Sequence, residues 1–239
     1  MITNWFLITS AINVEYGIFS AFQRYQQTIE TINSIKKYCP NNKIIILESS
    51  PTTLPDEWKN NLLKLTHLSI DFSGDKLIST MHRELPLNAI KSPCEIYIIN
   101  QFLIKENIVH PNDRIYKISG RYRLHSTFDP YLHNKEKNRL VFGTKFAGIR
   151  YYNKETGESY PKESEWQYKT RLYSFCGSLK HYMIQKYDQI LNYFQNLYGT
   201  GFTDLEHAMY KFLDHNLVTE LPYVGLTGIF ADRKELVVE

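Results

Sequence analysis

The sequence has few cysteines, and none in a productive pattern. Cys39, Cys94 and Cys176 are the three in 239 residues, far apart and without a Cys-x-x-Cys. An odd, scattered set argues against a disulfide framework or a zinc site and fits a reducing, cytoplasmic compartment. Long apolar runs are missing as well: none approaches the roughly 20 residues that span a bilayer. The opening "WFLITSAI" has no basic residue ahead of it and is soon followed by Glu15, so it reads as a first strand rather than a signal peptide. Neither sign of charge dominates. Lys+Arg number 28 against 25 Asp+Glu, a formal net of +3. That balance argues against nucleic acid as a partner and confines any electropositive function to a local patch. Familiar motifs are absent too. There is no Gly-x-Gly-x-x-Gly after the first strand, no P-loop signature, no Gly-x-Ser-x-Gly and no His-Glu-x-x-His. Dinucleotide enzymes, P-loop NTPases, lipase-like hydrolases and zincin proteases are disfavoured accordingly.

What is present is ordinary for a folded protein: 43% hydrophobic and 22% charged residues, which argues against disorder. Residues 5–12 form a continuous apolar run, the mark of a strand covered on both faces. "YQQTIETINSIKKY" carries Tyr25, Ile29, Ile32 and Ile35 at helical spacing, and "KIIILE" (43–48) follows a Pro-Asn-Asn turn. Strand, helix, turn, strand is a βαβ unit and implies parallel pairing. The pattern repeats with a helix over 56–64 and a strand at 66–72. A further helix begins at "SPCE", with Ser92 as N-cap and Glu95 closing a capping box, and "RIYKIS" (114–119) is a fourth strand.

The second half reads differently. Residues 139–152 suggest a hairpin or strand pair, 153–165 a polar surface loop and 171–179 another strand. Two helices follow, near 180–198 and 204–214, and then an apolar, turn-rich tail with Gly225 and Gly228. The expectation is one α/β domain over 1–239, with a mainly parallel central sheet flanked by helices. Residues 1–125 would be a nucleotide-binding α/β half and 126–239 a mixed, acceptor-side half.

Ligands of open α/β sheets bind outside the carboxyl ends of the strands. The first strand ends in Thr9-Ser10, the second in Glu48-Ser49-Ser50 and the fourth in Ser119-Gly120-Arg121. Glu48 is placed either to accept hydrogen bonds from a nucleoside or to cap the next turn. Gly120 permits close backbone approach, Arg121 offers a planar fork suited to phosphate, and Lys117 adds a point charge. These residues form a candidate diphosphate grip, and a β-bulge flanked by solvated cations is the plainer reading. Arg24, ahead of the first long helix, could reach a phosphate, although a solvated arginine is the commoner case. Late in the chain, "GTGFTDLEHAMYKFL" places Asp204 and Glu206 near a helix start beside His207. One of these carboxylates could serve as a general base. Thr203-x-x-Glu206 also reads as a capping box, with Asp204 at N1 suiting the helix dipole.

In "WFLITSAI", "RYQQTIETINSIKKY", "NKIIILESS", "DRIYKISGRYRL" and "TDLEHAMYKFL" the layout resembles glycosyltransferases of the GT-A fold, nucleotide-diphospho-sugar transferases. The resemblance implies a hexosyltransferase-type enzyme that moves a sugar from a nucleotide-sugar donor to a glycan or other hydroxyl acceptor. It implies Glu48 near the nucleoside, and Asp204 or Glu206 as base if the reaction inverts. It also implies an Asp-x-Asp after the fourth strand, binding Mn²⁺ or Mg²⁺ through the diphosphate. Here Ser119-Gly120-Arg121 stands at that place, with no carboxylate. Either Lys117, Arg121 and Arg123 replace the metal, or the chain does not transfer sugar. Two alternatives stand beside this reading. One is a catalytically inactive module of the same fold that binds glycans or proteins. The other is a nucleotidyltransferase, against which the loop after the first strand counts because it has no basic residue.

Overall fold

The computed structural model describes residues 2–14, 17–85, 90–147, 151–152, 159–160, 166–197, 203–229 and 235–239. In chain order the elements are β1 (Asn4–Ser10), α1 (Ala21–Tyr38), β2 (Asn42–Glu48), α2 (Asp56–Leu65), β3 (Leu68–Asp71), α3 (Lys76–Glu84), α4 (Lys91–Lys105) and β4 (Arg114–Ser119). They continue with β5 (Tyr122–Leu124), α5 (Pro130–Asn134), β6 (Leu140–Gly143), β7 (Phe146–Ala147), β8 (Tyr151–Tyr152), β9 (Ser159–Tyr160), β10 (Trp166–Gln167) and β11 (Leu172–Cys176). The last are α6 (Lys180–Asn196), α7 (Leu205–Phe212), β12 (Val218–Leu221), β13 (Leu226–Ile229) and β14 (Leu236–Val238).

A seven-stranded sheet runs in the order β12-β6-β11-β4-β1-β2-β3. The pairs β1–β2, β1–β4, β2–β3 and β6–β12 are parallel, and β11 lies antiparallel between β4 and β6. Phe6, Leu7 and Ile8 of β1 are fully buried, as the unbroken apolar run requires of a strand covered on both sides. Alternation then divides them between two cores. Leu7 joins Ile45, Leu47 and Ile115 under α4, α6 and α7, while Phe6 and Ile8 join Ile44, Ile46 and Ile118 under α1 and α2. The small sheet β14-β13-β5 closes this second face. It is stitched to α1 by Thr31 Oγ1 donating to Tyr122 O at 2.6 Å and by Leu124 N donating to Ser34 Oγ at 2.9 Å.

The α/β pattern with a mainly parallel central sheet is as the sequence implied, and several local readings change. The helix expected to start on a Ser92 cap begins at Lys91, with Ile90 preceding it and no side-chain cap. Glu95 is drawn into the core instead. Helix α3 was not expected; Asp75 caps it, accepting from Leu77 N at 2.8 Å and Ile78 N at 3.3 Å. The described residues of 139–152 form no hairpin with one another. Strand β6 enters the main sheet, β7 pairs with β10, and β8 pairs with β9. Most of 153–165, and the glycines at 199 and 201, lie outside the described residues. In the tail, Gly225 has φ +73°, and a Cβ there would stand 2.3 Å from Phe128 Cα, so only glycine fits. Among the described residues, no helix is long and apolar enough to cross a membrane.

Candidate functional site

The strand order reverses between β1 and β4. From β1 the chain proceeds outward to β2 and β3, then returns to place β4 on the other side of β1. A reversal of this kind leaves a crevice at the carboxyl ends, here at Thr9-Ser10 and Ser119-Gly120.

At that point lies a buried polar network. Lys117 is fully buried; its Nζ donates to Ser119 Oγ at 2.8 Å and Thr170 O at 2.7 Å, and pairs with Glu95 Oε1. Thr9 Oγ1 donates to the same Glu95 oxygen at 3.1 Å. Burial pushes the Glu95 carboxyl up, but the charges of Lys117 and Lys91 and the hydrogen bonds from Lys117 and Thr9 outweigh it and hold the group below its ordinary value. Burial pulls the Lys117 ammonium below its ordinary value, with Glu95 opposing. Thr170 carries the network across the edge, because its Oγ1 donates to Glu206 Oε1 at 2.7 Å.

This geometry corrects several sequence expectations. Lys117 does not present its ammonium to a ligand, since every partner it has is internal. Gly120 is not a phosphate cradle. Its N–H donates to Thr9 O at 2.8 Å, and its carbonyl accepts from Thr28 Oγ1 at 3.3 Å. A Cβ at Gly120 would sit 3.2 Å from both Thr28 Oγ1 and Thr9 O and 3.3 Å from Ile8 Cγ2. Glycine suits the position because β4 turns close against β1 and α1, where a Cβ would press on Thr28, Thr9 and Ile8. Glu48 lies on the α1 side of the sheet, 2% exposed. It accepts from Ile12 N at 3.0 Å, Ser50 N at 2.9 Å and the hydroxyls of Ser10 and Ser50. It therefore ties the segments after β1 and β2 together rather than facing a nucleoside. Burial raises its carboxyl above the ordinary value, with those four hydrogen bonds opposing.

Arg24 is buried, and it donates from Nε to Phe19 O at 3.2 Å and from Nη1 to Ala11 O at 3.4 Å. A Cβ on Gly17 would come within 2.6 Å of Arg24 Nη2. Arg24 thus braces the segment after β1 and is not held out toward a phosphate. Arg123 pairs with Glu30 of α1 at 3.2 Å and is likewise engaged away from the edge. Arg121 is the exception. It is half-buried in the turn after β4, and its side chain makes no hydrogen bond or ion pair with any described residue.

On the late helix, Asp204 rather than Thr203 is the N-cap. Its Oδ1 accepts from His207 N at 2.9 Å and pairs with His207 Nδ1 at 2.6 Å. Thr203 Oγ1 is buried without a partner. Asp204 is thereby engaged in holding α7 and His207. Glu206 has only the Thr170 hydroxyl on Oε1, and its Oε2 has no described partner.

Glu95, Thr170 and Arg171 escaped the sequence reading. Their signals are weak: Glu95 sits where a capping box would place it, and "YKTR" before β11 is a short basic stretch that matches no motif. The described residues at the end of β4 do not fit a divalent cation. No carboxylate directly follows β4, and the buried Glu95 beside Lys117 is already bonded to Lys117 and Thr9. Among the described residues, no group of three His, Cys, Asp or Glu could hold a metal.

No family model and no curated protein matches the chain in sequence. Solved structures do match in shape. The bifunctional glycosyltransferase WbbM superposes with a TM-score of 0.56 at 13% identity; the match covers 92% of this chain and 38% of that one. The galactosyltransferase LgtC, solved with donor and acceptor sugar analogues, gives 0.53 at 7% identity over 90% of this chain and 72% of its own. A 4-diphosphocytidyl-2C-methyl-D-erythritol synthase gives 0.48 at 12% identity, over 92% and 89%, and is too distant to weigh on function. Sheet order, helical layers and the WbbM and LgtC superpositions agree: the chain has a GT-A-like fold.

Proposed function

We propose that this chain is a glycosyltransferase that takes a sugar from a nucleotide-diphosphate donor and passes it to a hydroxyl acceptor without a divalent cation. The observation that carries the proposal is Arg121. It is a half-buried guanidinium at the carboxyl end of β4, partnered by no described residue, on a GT-A sheet where an Asp-x-Asp would otherwise stand. A half-buried arginine that no described side chain engages keeps its donors available to a ligand. Its planar fork matches two phosphate oxygens.

In this proposal Arg121 binds the donor diphosphate and steadies the charge that develops as the nucleoside diphosphate leaves. Lys117, Glu95, Ser119 and Thr9 lie beneath as a rigid ionic floor that fixes the end of β4. Glu206 deprotonates the acceptor hydroxyl. It is preferred over Asp204 because Asp204 already caps α7, while Glu206 keeps one oxygen open among the described residues. Thr170 orients that carboxylate, and Thr170 O also anchors Lys117, so one residue joins the donor strand to the base.

The test is release of nucleoside diphosphate from a panel of nucleotide-sugars, with a mixed glycan acceptor pool, with and without EDTA. One donor should be consumed, EDTA should leave the rate unchanged, and Arg121→Ala should slow it about tenfold or more, the loss of one charge-assisted contact. Consumption of no donor overturns the proposal.

A further inference from the structure

A second charged cluster stands at the same edge, apart from the Lys117 network. Lys169 and Arg171 flank Thr170 on the approach to β11, and Ser119 N donates to Arg171 O at 3.0 Å, which ties the cluster to the end of β4. Glu239 lies between the two cations. Its Oε1 accepts from Arg171 Nη1 at 2.7 Å and is 3.8 Å from Lys169 Nζ. Tyr122 backs the arginine. Arg171 Nε donates to the Tyr122 hydroxyl at 3.1 Å, and the guanidinium lies 5.7 Å from that ring. Glu206 also acts on Arg171 through its charge.

Two features set this cluster apart from an ordinary structural ion pair. Glu239 is 6% exposed, yet its Oε2 is buried with no hydrogen-bond partner. A carboxylate offers two oxygens and several lone pairs, and arginine pairs best with both at once. Here a carboxylate is desolvated but only half used. The element that carries it is also slight. Strand β14 has three residues, pairs among the described strands with β13, and leaves Leu236 and Val238 70% and 60% exposed. Glu239 itself is held by reciprocal backbone bonds to Leu226, each 2.8 Å.

We propose that Glu239 is a resident competitor: its carboxylate occupies a two-cation site, Lys169 and Arg171, that accepts a phosphate group when the side chain withdraws. Naming that phosphate as part of the donor diphosphate rests on the function proposed above. The anion site itself rests only on the charges. A pyrophosphate brings at least two negative charges to Lys169 and Arg171, where the Glu239 side chain brings one. Arginine meets it with a fork and lysine with a mobile point charge. Withdrawal of Glu239 then becomes a step coupled to anion binding, and the wild-type affinity is reduced by the fraction of molecules in which the site is still filled.

The experiment is calorimetric titration of inorganic pyrophosphate, then of UDP and GDP, into wild type, Glu239→Gln and Glu239→Gln/Arg171→Met. Glutamine keeps an acceptor for Arg171 and removes the competing charge. Glu239→Gln should bind pyrophosphate about tenfold or more tightly than wild type, and the added Arg171→Met should abolish the gain. Equal or weaker binding by Glu239→Gln overturns the inference. A ¹³C-carboxyl spectrum of the wild type provides a check that does not depend on the variant folding. The Glu239 Cδ resonance should move as pyrophosphate saturates the protein, and an unmoved resonance at saturation also overturns the inference. The two proposals fail separately. If UDP or GDP binds wild type and Glu239→Gln alike, the competitor is wrong and the donor reading survives. If pyrophosphate tightens in Glu239→Gln but neither nucleotide binds better than pyrophosphate, the anion site stands and the donor reading falls.

Discussion

Lys117→Met would isolate the buried ion pair. The side chain is fully buried, and its substitution strands Glu95, whose side chain is 9% exposed, with Thr9 as its one remaining neutral donor. Removing one partner of a buried pair costs about 3–5 kcal/mol, because the other charge stays desolvated. At about 2–4 °C per kcal/mol for a chain of this size, the midpoint should fall by about 6–20 °C. Adding Glu95→Leu removes the stranded charge. What then remains is the carbonyl of Thr170 without its ammonium donor and two hydroxyls free to turn to other partners, about 1–3 kcal/mol. The double variant should therefore be more stable than Lys117→Met alone, an outcome that additive effects cannot give. Urea denaturation of the wild type, both single variants and the double variant measures the coupling directly. A coupling below about 0.5 kcal/mol would refute the claim that Lys117 is an internal counter-ion, and would return it to the candidates for ligand contact.

Two further outcomes follow from the same edge. Burial raises the Glu48 carboxyl, so the folded state holds its proton more firmly than the unfolded chain does. Wild-type stability relative to Glu48→Gln should thus be greatest at acid pH and decline as pH rises from the ordinary carboxylate value, about 4.3, through the raised one. A relative gain with rising pH, measured by denaturation between pH 4 and 8, would contradict the assignment. Gly120→Ala should cost about 1–3 kcal/mol by crowding Thr28, Thr9 and Ile8, while leaving the affinity of the folded protein for nucleoside diphosphates unchanged. A selective loss of nucleotide affinity would restore the glycine as a phosphate contact.

Much of the architecture was legible because its signals are one-dimensional. Strand β4 coincides with "RIYKIS", and β1 and β2 follow their apolar runs to within a residue or two. A strand buried on both faces has no other way to be written. The small strands were not legible, because a two-residue pairing such as β7 with β10 is set by what lies beside it and leaves no periodic trace. The site was half legible for the same reason. Strand ends identify the edge, and Thr9, Ser119 and Lys117 do converge there. Orientation is a tertiary property. Glu95, 22 residues before Lys117 and on another element, decides that the lysine is a buried counter-ion, and Thr28 of α1 decides why residue 120 is glycine. Neither fact is carried by a local motif.

Calorimetric titration of UDP, GDP, TDP and CDP into wild type and Arg121→Ala bears on the donor site with the fewest intermediate assumptions. One of the four should bind the wild type in the presence of EDTA, and Arg121→Ala should weaken it about tenfold or more while its unfolding midpoint is preserved. Binding of none of the four, or equal binding by Arg121→Ala, would contradict a diphosphate site at the end of β4.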